Sequence, residues 1–250
     1  MGVLEIVAVL AAGMAAGAIN AVVGSGTLIT FPVLLAFGYS PVVANVSNTI
    51  GLVPGSLSGA VGYRRELEGQ RARLARLAPW SVAGGVVGAV ALLVLPDSWF
   101  EAIVPVFIAI ALVLVVAQPR LTGALAADPD AATRRAGPWG IAGIFGTGVY
   151  GGYFGAAQGI LLLAVLGLSL RDDLQRINAL KVVLAGMVNL VAGIVFALVA
   201  DVAWDVAGVI AAGSIAGGYL GAAVGRHLSA EALRAVVVVV GLAAIAQLVL

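Results

Sequence analysis

Lys181 is the sole lysine of the 250-residue chain and the one basic residue set inside an apolar segment, in INALKVVLAGMVN. A cation placed there is costly in a bilayer and by default marks a functional site. Asn178 lies three residues earlier and shares its helix face, so the two can project into one cavity. Asn45 and Asn48 repeat that spacing in ANVSNTIG, with Ser47 between them. A second pair of features adds donors without charge. The stretch Gly148–Gly167, GVYGGYFGAAQGILLLAVLG, repeats in looser form Gly17–Gly38, GAINAVVGSGTLITFPVLLAFG. Both are apolar enough for a membrane, yet each is interrupted, at Gly24-Ser25-Gly26-Thr27 and at Gly155-Ala156-Ala157-Gln158-Gly159. A helix that restarts after such a break presents partial positive charge and free N–H groups, which attract anions without any cationic side chain. Ser25, Thr27 and Gln158 would add neutral donors, while Gly24, Gly26, Gly155 and Gly159 let a ligand approach the backbone.

Each feature has a structural reading beside the chemical one. Small residues four apart are common glue between membrane helices, and Gly13/Gly17, Gly84/Gly88 and Gly217/Gly221 are read that way. Asn189 is read as an amide bonding a neighbouring helix, and Glu5 and His227 as interfacial. Lys181 sits about one turn inside its helix, so snorkelling to the surface is its alternative. No acidic residue falls at a helix centre, which leaves a buried carboxylate proton relay without a candidate.

The elements that must position these residues are membrane helices. The chain is 62% hydrophobic with a mean hydropathy of +1.14 and 10% charged residues, against roughly 25% charged in soluble domains. Apolar segments run at about 3–23, 27–37, 41–61, 77–95, 100–117, 139–154, 159–168, 177–200, 204–223 and 232–250. Segments 27–37 and 159–168 reach only about half of a ~30 Å hydrocarbon core, which suits half-helices. Val3–Phe37 and Trp139–Leu168 are therefore each predicted to form a helical hairpin, with one long kinked crossing as the alternative. Unwound backbone at membrane depth survives only where protein or a water-filled cavity covers it.

Loop charge sets the topology. Arg64, Arg65, Arg71, Arg73 and Arg76 in 63–76, Arg120, Arg134 and Arg135 in 118–137, and Arg226 with Arg234 mark cytoplasmic turns; Asp97, Glu101, Asp201 and Asp205 mark external ones. Threading the chain through these turns makes each half one hairpin plus three crossings, an odd number, so the second half is upside down relative to the first. The predicted fold is an all-α polytopic membrane protein, a single domain over 1–250 with two inverted repeats. Repeat 1 covers 1–120, a linker 121–137 carries Asp128, Pro129 and Asp130, and repeat 2 covers 138–250. Such repeats are a transporter architecture with the substrate site between them. Both termini are expected outside, and Met1–Gly13 lacks the basic start of a cleavable signal.

Composition also excludes classes. One histidine, no cysteine, no paired carboxylates within the membrane and no phosphate-loop motif leave no enzyme constellation, cofactor site or metal site. A formal charge of +1 argues against a nucleic-acid partner. The expected partners are a small anion and the lipid bilayer, with a homodimer left open.

GAINAVVGSGTLITFPVLLAFGYSPVVANVSNTIGLVPGSLSG together with GGYFGAAQGILLLAVLGLSLRDDLQRINALK resembles the TauE/SafE family of sulfite and organosulfonate exporters, membrane permeases of bacteria and archaea. The first half fits through Asn20, Gly24, Gly26, Pro32, Gly38, Pro41, Ala44 and Ser47, the second through Gly151, Gly152, Phe154, Gly155, Gly159, Gly167 and Lys181. The chain departs in Ala156-Ala157-Gln158, where glycines are usual, and in Leu163, where proline is usual. The resemblance implies transport of a small anion across the cell membrane and adds Asn20 to the expected site. The reading is a secondary transporter of a sulfite-, organosulfonate- or carboxylate-like anion, working by alternating access at a midplane site. Its rivals are a passive anion channel, which would conduct without saturating or showing counterflow, and a non-transporting membrane scaffold, which no small oxyanion would stabilise.

Overall fold

The computed structural model describes residues 1–126, 137–170, 172–224 and 230–249. The expected linker residues Asp128, Pro129, Asp130, Arg134 and Arg135, and also Arg226, His227 and Leu250, lie outside them. Among the described residues ten α-helices follow one another: α1 Val3–Val22, α2 Thr27–Ala36, α3 Pro41–Gly62, α4 Arg71–Val94, α5 Asp97–Ala126, α6 Pro138–Tyr153, α7 Gln158–Ser169, α8 Leu174–Val199, α9 Trp204–Val224 and α10 Ala230–Val249. No strand occurs among the described residues. Five stretches among the described residues are long and apolar enough to cross a membrane: Val3–Val22, Arg71–Val94, Asp97–Arg120, Leu174–Val199 and Trp204–Ala223. This is an all-α, multi-pass membrane protein.

Two boundaries differ from expectation. Arg71, Arg73 and Arg76 form the first turns of α4 rather than a loop, because a run of arginine, leucine and alanine has high helix propensity whatever its polarity. α5 also continues through Pro119 and Arg120 to Ala126, so the expected linker is helical over 121–126.

Both short helices fold back on the helix before them. Beyond α2, the Tyr39 hydroxyl donates to Glu5 Oε1 near the start of α1 at 2.7 Å. In the second half Gly143 on α6 lies against Val165 on α7, where an added Cβ would meet Val165 Cγ1 at 2.8 Å, while Gly151 faces the side chain of Gln158. Each broken segment is thus a helical hairpin with its turn in the interior.

Glycines allow the closest helix pairs. α1 runs along α9, where a Cβ on Gly13 would meet the Ile210 carbonyl oxygen at 2.9 Å and one on Gly17 would collide with that of Ser214. α6 runs along α4, where a Cβ on Gly84 or Gly88 would collide with the carbonyls of Phe145 or Val149. These glycines pack helices, as their spacing suggested. α3 packs on α8, α9 and α4 flank that pair, α10 packs on α2 and on α5, and α5 packs on α7.

The bundle has two chemically distinct ends. At one, Asp172 pairs with Arg73 and with Arg176 at 3.0 Å, and Gln70 Nε2 donates to the Arg176 carbonyl at 2.9 Å. At the other, the Met1 amino group lies 4.0 Å from Asp205, beside the Tyr39–Glu5 contact. All four tryptophans, Trp80, Trp99, Trp139 and Trp204, are exposed, as expected of the aromatic belts that settle at membrane–water boundaries.

Candidate functional site

The turns of the two hairpins touch. The Gly159 N–H donates to the Gly24 carbonyl at 3.0 Å. A Cβ on Gly24 would meet Gly159 Cα at 2.6 Å, and one on Gly159 would meet Gly24 Cα at 2.5 Å. Two backbones come this close only when neither residue has a side chain. Gly24 and Gly155, at φ +90° and +78°, also occupy the left-handed region that glycine enters without penalty. Ala157, at φ 58°, takes that conformation with a methyl group attached, a strained arrangement of the kind that collects at functional turns.

Beside this crossing lies a cavity of about 30 Å³, lined by Asn20, Gly24, Thr27, Gly155, Gln158, Gly159 and Lys181 from among the expected residues. That is space for about two waters at ~10–15 Å³ each. Its further lining on α3 is Gly55, Ser56 and Gly59, in the half of the helix that leads to Arg64, and on α8 it extends from Lys181 to Asn189. The cavity therefore lies toward the arginine-rich end of the bundle. Buried Ala21, Tyr63, Ala179, Val182 and Ala222 form a small cluster there. Phe154, the residue before Gly155, packs edge-on against Phe31 at 5.2 Å and Phe100 at 5.8 Å.

Lys181 is 1% exposed, so it does not snorkel. Its Nζ donates to the Asn20 carbonyl at 3.1 Å and the Ala21 carbonyl at 3.4 Å, the last turn of α1. An ammonium at a helix C-terminus meets carbonyls that have no intrahelical partner and the negative end of the helix dipole. No ion pair to Lys181 occurs among the described residues. With three N–H donors, the ammonium has capacity beyond these two carbonyls. Gln158 also lines the cavity: its side chain fits against Gly151, and its Nε2 is buried without a hydrogen-bond partner.

The half-helix starts fall where the sequence puts them, at Thr27 and Gln158, but their backbone donors are largely taken. Gln158 N–H goes to Gly155, Gly159 to Gly24, and Ile160 and Leu161 to Ala157; in α2, Leu28 goes to Ser25 and Ile29 to Gly26. The expectation of free N–H groups is corrected for these positions, because each turn closes on itself and on the other turn. Donors facing the cavity come chiefly from side chains.

Other expected residues lie outside the cavity lining. Gly26 donates to Asn20 Oδ1 at 2.6 Å and packs against α1, closing the first hairpin. Ser25 is buried with its hydroxyl unpartnered. Asn48 donates to Thr27 Oγ1 at 3.3 Å and accepts from Thr30 at 2.5 Å, tying α3 to α2. Ser47 accepts the Ala203 N–H at 3.0 Å. Asn45 and Asn178 donate to Tyr153 and Ala21 carbonyls at 2.9 and 3.1 Å. Asn178 thus sits beside Lys181 on the end of α1. Asn189, read from the sequence as a helix-to-helix amide, lines the cavity instead. Gly55, Ser56 and Gly59 were missed; their small-residue spacing in GSLSG was visible but is the same whether such residues pack or line a void.

A bundle of apolar helices around two crossed hairpin turns, with a buried ammonium beside them, has the design of a membrane transporter and not of an enzyme. Residues 9–248 match the family described as sulfite exporter TauE/SafE, and the chain belongs to that family. It is 26% identical over 250 residues to a "probable membrane transporter protein" of Haemophilus influenzae, covering 98% of this chain and 95% of that one. It is 25% identical over 245 residues to the "probable membrane transporter protein YfcA" of Escherichia coli K12, covering 96% and 86%. No solved structure matches the chain.

Proposed function

We propose that the protein is a secondary transporter of a small oxyanion, sulfite-, organosulfonate- or carboxylate-like, which binds beside the Gly24–Gly159 crossing between Lys181 and Gln158. The observation that carries this reading is a buried lysine amine and a glutamine with an unpartnered amide nitrogen, two residues that line one cavity where two broken helices meet. An anion there would balance the charge of Lys181 and satisfy Gln158 together. An oxyanion of four or more heavy atoms needs more room than two waters, so binding widens the cavity, and the hairpin turns are the elements that must shift.

Alternating access follows from an inverted repeat. The packing supports it: α1 lies on α9 as α6 lies on α4, α2 on α10 as α7 on α5, and α3 meets its counterpart α8 directly. Each relation holds when α1–α5 are exchanged for α6–α10. With the arginine-rich end in the cytoplasm, the thin cluster around Tyr63 closes the inner path and the Phe31–Phe154 cluster the outer one. The plasma membrane is the compartment this charge asymmetry fits.

The test is exchange in liposomes. Sulfite, sulfoacetate, taurine and acetate are offered to purified protein, and one or more should show saturable uptake with counterflow. Conductance without saturation would mean a channel, and no ligand-dependent stabilisation with any of them would return the protein to a structural role.

A further inference from the structure

We infer that the arginine-rich end of the seam between α3 and α9 holds the headgroup of an anionic phospholipid, its phosphate against Arg64 and Arg65. The two helices run side by side in the same direction: Gly51 lies against Ile210, Gly55 against Ser214 and Gly62 against Ala222. Ser58 Oγ fastens them by donating to the Ile215 carbonyl at 2.8 Å. Where they end, a surface cavity of about 190 Å³ is lined by Gly62, Arg64, Arg65, Glu66, Tyr219 and Ala223. It shares no residue with the cavity at the hairpin crossing. Gly62 and Ala223 leave it unfilled, since neither has a side chain long enough to enter it. At ~10–15 Å³ per water the space takes about a dozen waters or more, enough for a phosphate and the glycerol attached to it.

The arginines of this end are not equivalent. Arg73 and Arg176 are committed to Asp172. Arg64 and Arg65 are exposed, and among the described residues their guanidinium groups make no ion pair or hydrogen bond, even with Glu66 in the same lining. The Tyr219 hydroxyl is equally free to donate. Two guanidinium groups against one carboxylate leave one net positive charge, which a phosphodiester neutralises, and the planar fork of arginine matches phosphate oxygens.

The surface leading to the cavity makes this a lipid site. Leu57 and Val61 on α3, and Ile215 and Tyr219 on α9, are roughly half exposed. Four residues apart, each pair shares a helix face. Leu57 and Val61 directly precede the contact residues Ser58 and Gly62, whereas Ile215 and Tyr219 directly follow Ser214 and Gly218. In parallel helices one step back on the first and one step forward on the second fall on the same side of the seam. The opposite side faces inward: Gly59 lines the inner cavity, and Gly213, Gly217 and Gly221 pack on α1. The outer side is therefore an apolar stripe that ends at the cavity, where Val61 adjoins Gly62 and Tyr219 is part of the lining. Acyl chains lie along the stripe while the headgroup enters the cavity, and basic pockets between membrane helices are a recurring seat for anionic headgroups. The proposal does not depend on the anion site.

Phosphatidylglycerol is the probe, titrated into the purified full-length protein in neutral detergent micelles while thermal unfolding is followed. Wild type should be stabilised saturably, and at a lower mole fraction than with phosphatidylcholine. Arg64→Gln and Arg65→Gln should each raise the half-saturating mole fraction about fivefold. Ala223→Leu fills the cavity from an exposed position and should weaken binding with every charge kept. Arg71→Gln removes an exposed arginine of the same end that is not in the lining, and should keep the wild-type midpoint. Equal midpoints of wild type in the two lipids, a wild-type midpoint in Arg64→Gln and Arg65→Gln or in Ala223→Leu, or an equal loss in Arg71→Gln overturns the proposal. Equal stabilisation by glycerol phosphate in lipid-free micelles would mean a site for a soluble anion. A wild-type dimer in light scattering that Ala223→Leu dissociates would give the face to a second copy of the chain. Either result also overturns it.

Discussion

Gln158 and Lys181 face the same cavity but stand in opposite structural debts. Gln158 Nε2 is buried and unpartnered, so the folded protein gains nothing from it until a ligand accepts its hydrogen bond. Gln158→Leu should therefore leave thermal stability unchanged or slightly raised while costing about 1.5–3 kcal/mol of anion affinity, the scale of a hydrogen bond to a charged group. Parallel unfolding and anion titrations check this, and unchanged affinity would remove Gln158 from the site. Lys181 holds two carbonyls of α1 as well. Lys181→Met should lower both stability and affinity, the latter by about 2–5 kcal/mol, as when one partner of a buried charge pair is removed. Lys181→Arg keeps the charge but presents a planar fork, so it should retain part of the binding with altered selectivity. A polar residue in an apolar run is legible because its cost is intrinsic, and Lys181 and Gln158 stood out on that ground. Whether Asn48 or Asn189 reaches the cavity depends on helix rotation, and whether a turn's N–H groups stay free depends on what packs against them. Neither is written in local spacing.

At the level of elements, the crossing of the two hairpin turns is the critical contact. Gly159→Ala should push the turns apart, since its Cβ would lie 2.5 Å from Gly24 Cα. The overpacking should cost about 1–3 kcal/mol and abolish exchange in liposomes; near-normal exchange would show that the crossing is not part of the path. Gly26 does not serve this test, because a side chain there strikes α1 and damages its own hairpin. The arginine-rich end offers a pH-dependent one. Burial pushes the Asp172 carboxyl up, but hydrogen bonds from Arg73, the Asp173 N–H and Arg176 outweigh it and hold the pKa below its ordinary 3.8. A depressed carboxylate stabilises the folded state above the unfolded pKa, and that contribution disappears as pH falls through the folded value. Asp172→Asn should accordingly unfold at lower temperature than wild type at neutral pH, and the gap should close only below about pH 3.8. A gap independent of pH would separate the effect from ionisation. The hairpins themselves were legible from segment length and broken hydropathy. The extra turns of α4 and α5 were not, because charged residues end a hydrophobic run without ending a helix.

Across the whole molecule, charge asymmetry gives a direct measurement of orientation. The chain has no cysteine, so single cysteines report without background. Cysteines at exposed Ser40, Asp97 and Asp205 should react with an impermeant thiol reagent from outside the cell, and one at exposed Arg64 should react only after permeabilisation. The opposite pattern would reverse the assigned orientation, and a split among the first three positions would end the inverted-repeat reading. The last turn of α1 also imposes an order on biosynthesis. Ala21 and Asn20 emerge from the ribosome 157 and 161 residues before the Asn178 and Lys181 side chains that bond their carbonyls. A nascent first half thus enters the bilayer with an uncapped helix end and a glycine turn awaiting its counterpart. The two halves synthesised as separate polypeptides would carry complementary defects, so their co-expression should restore exchange that neither half shows alone.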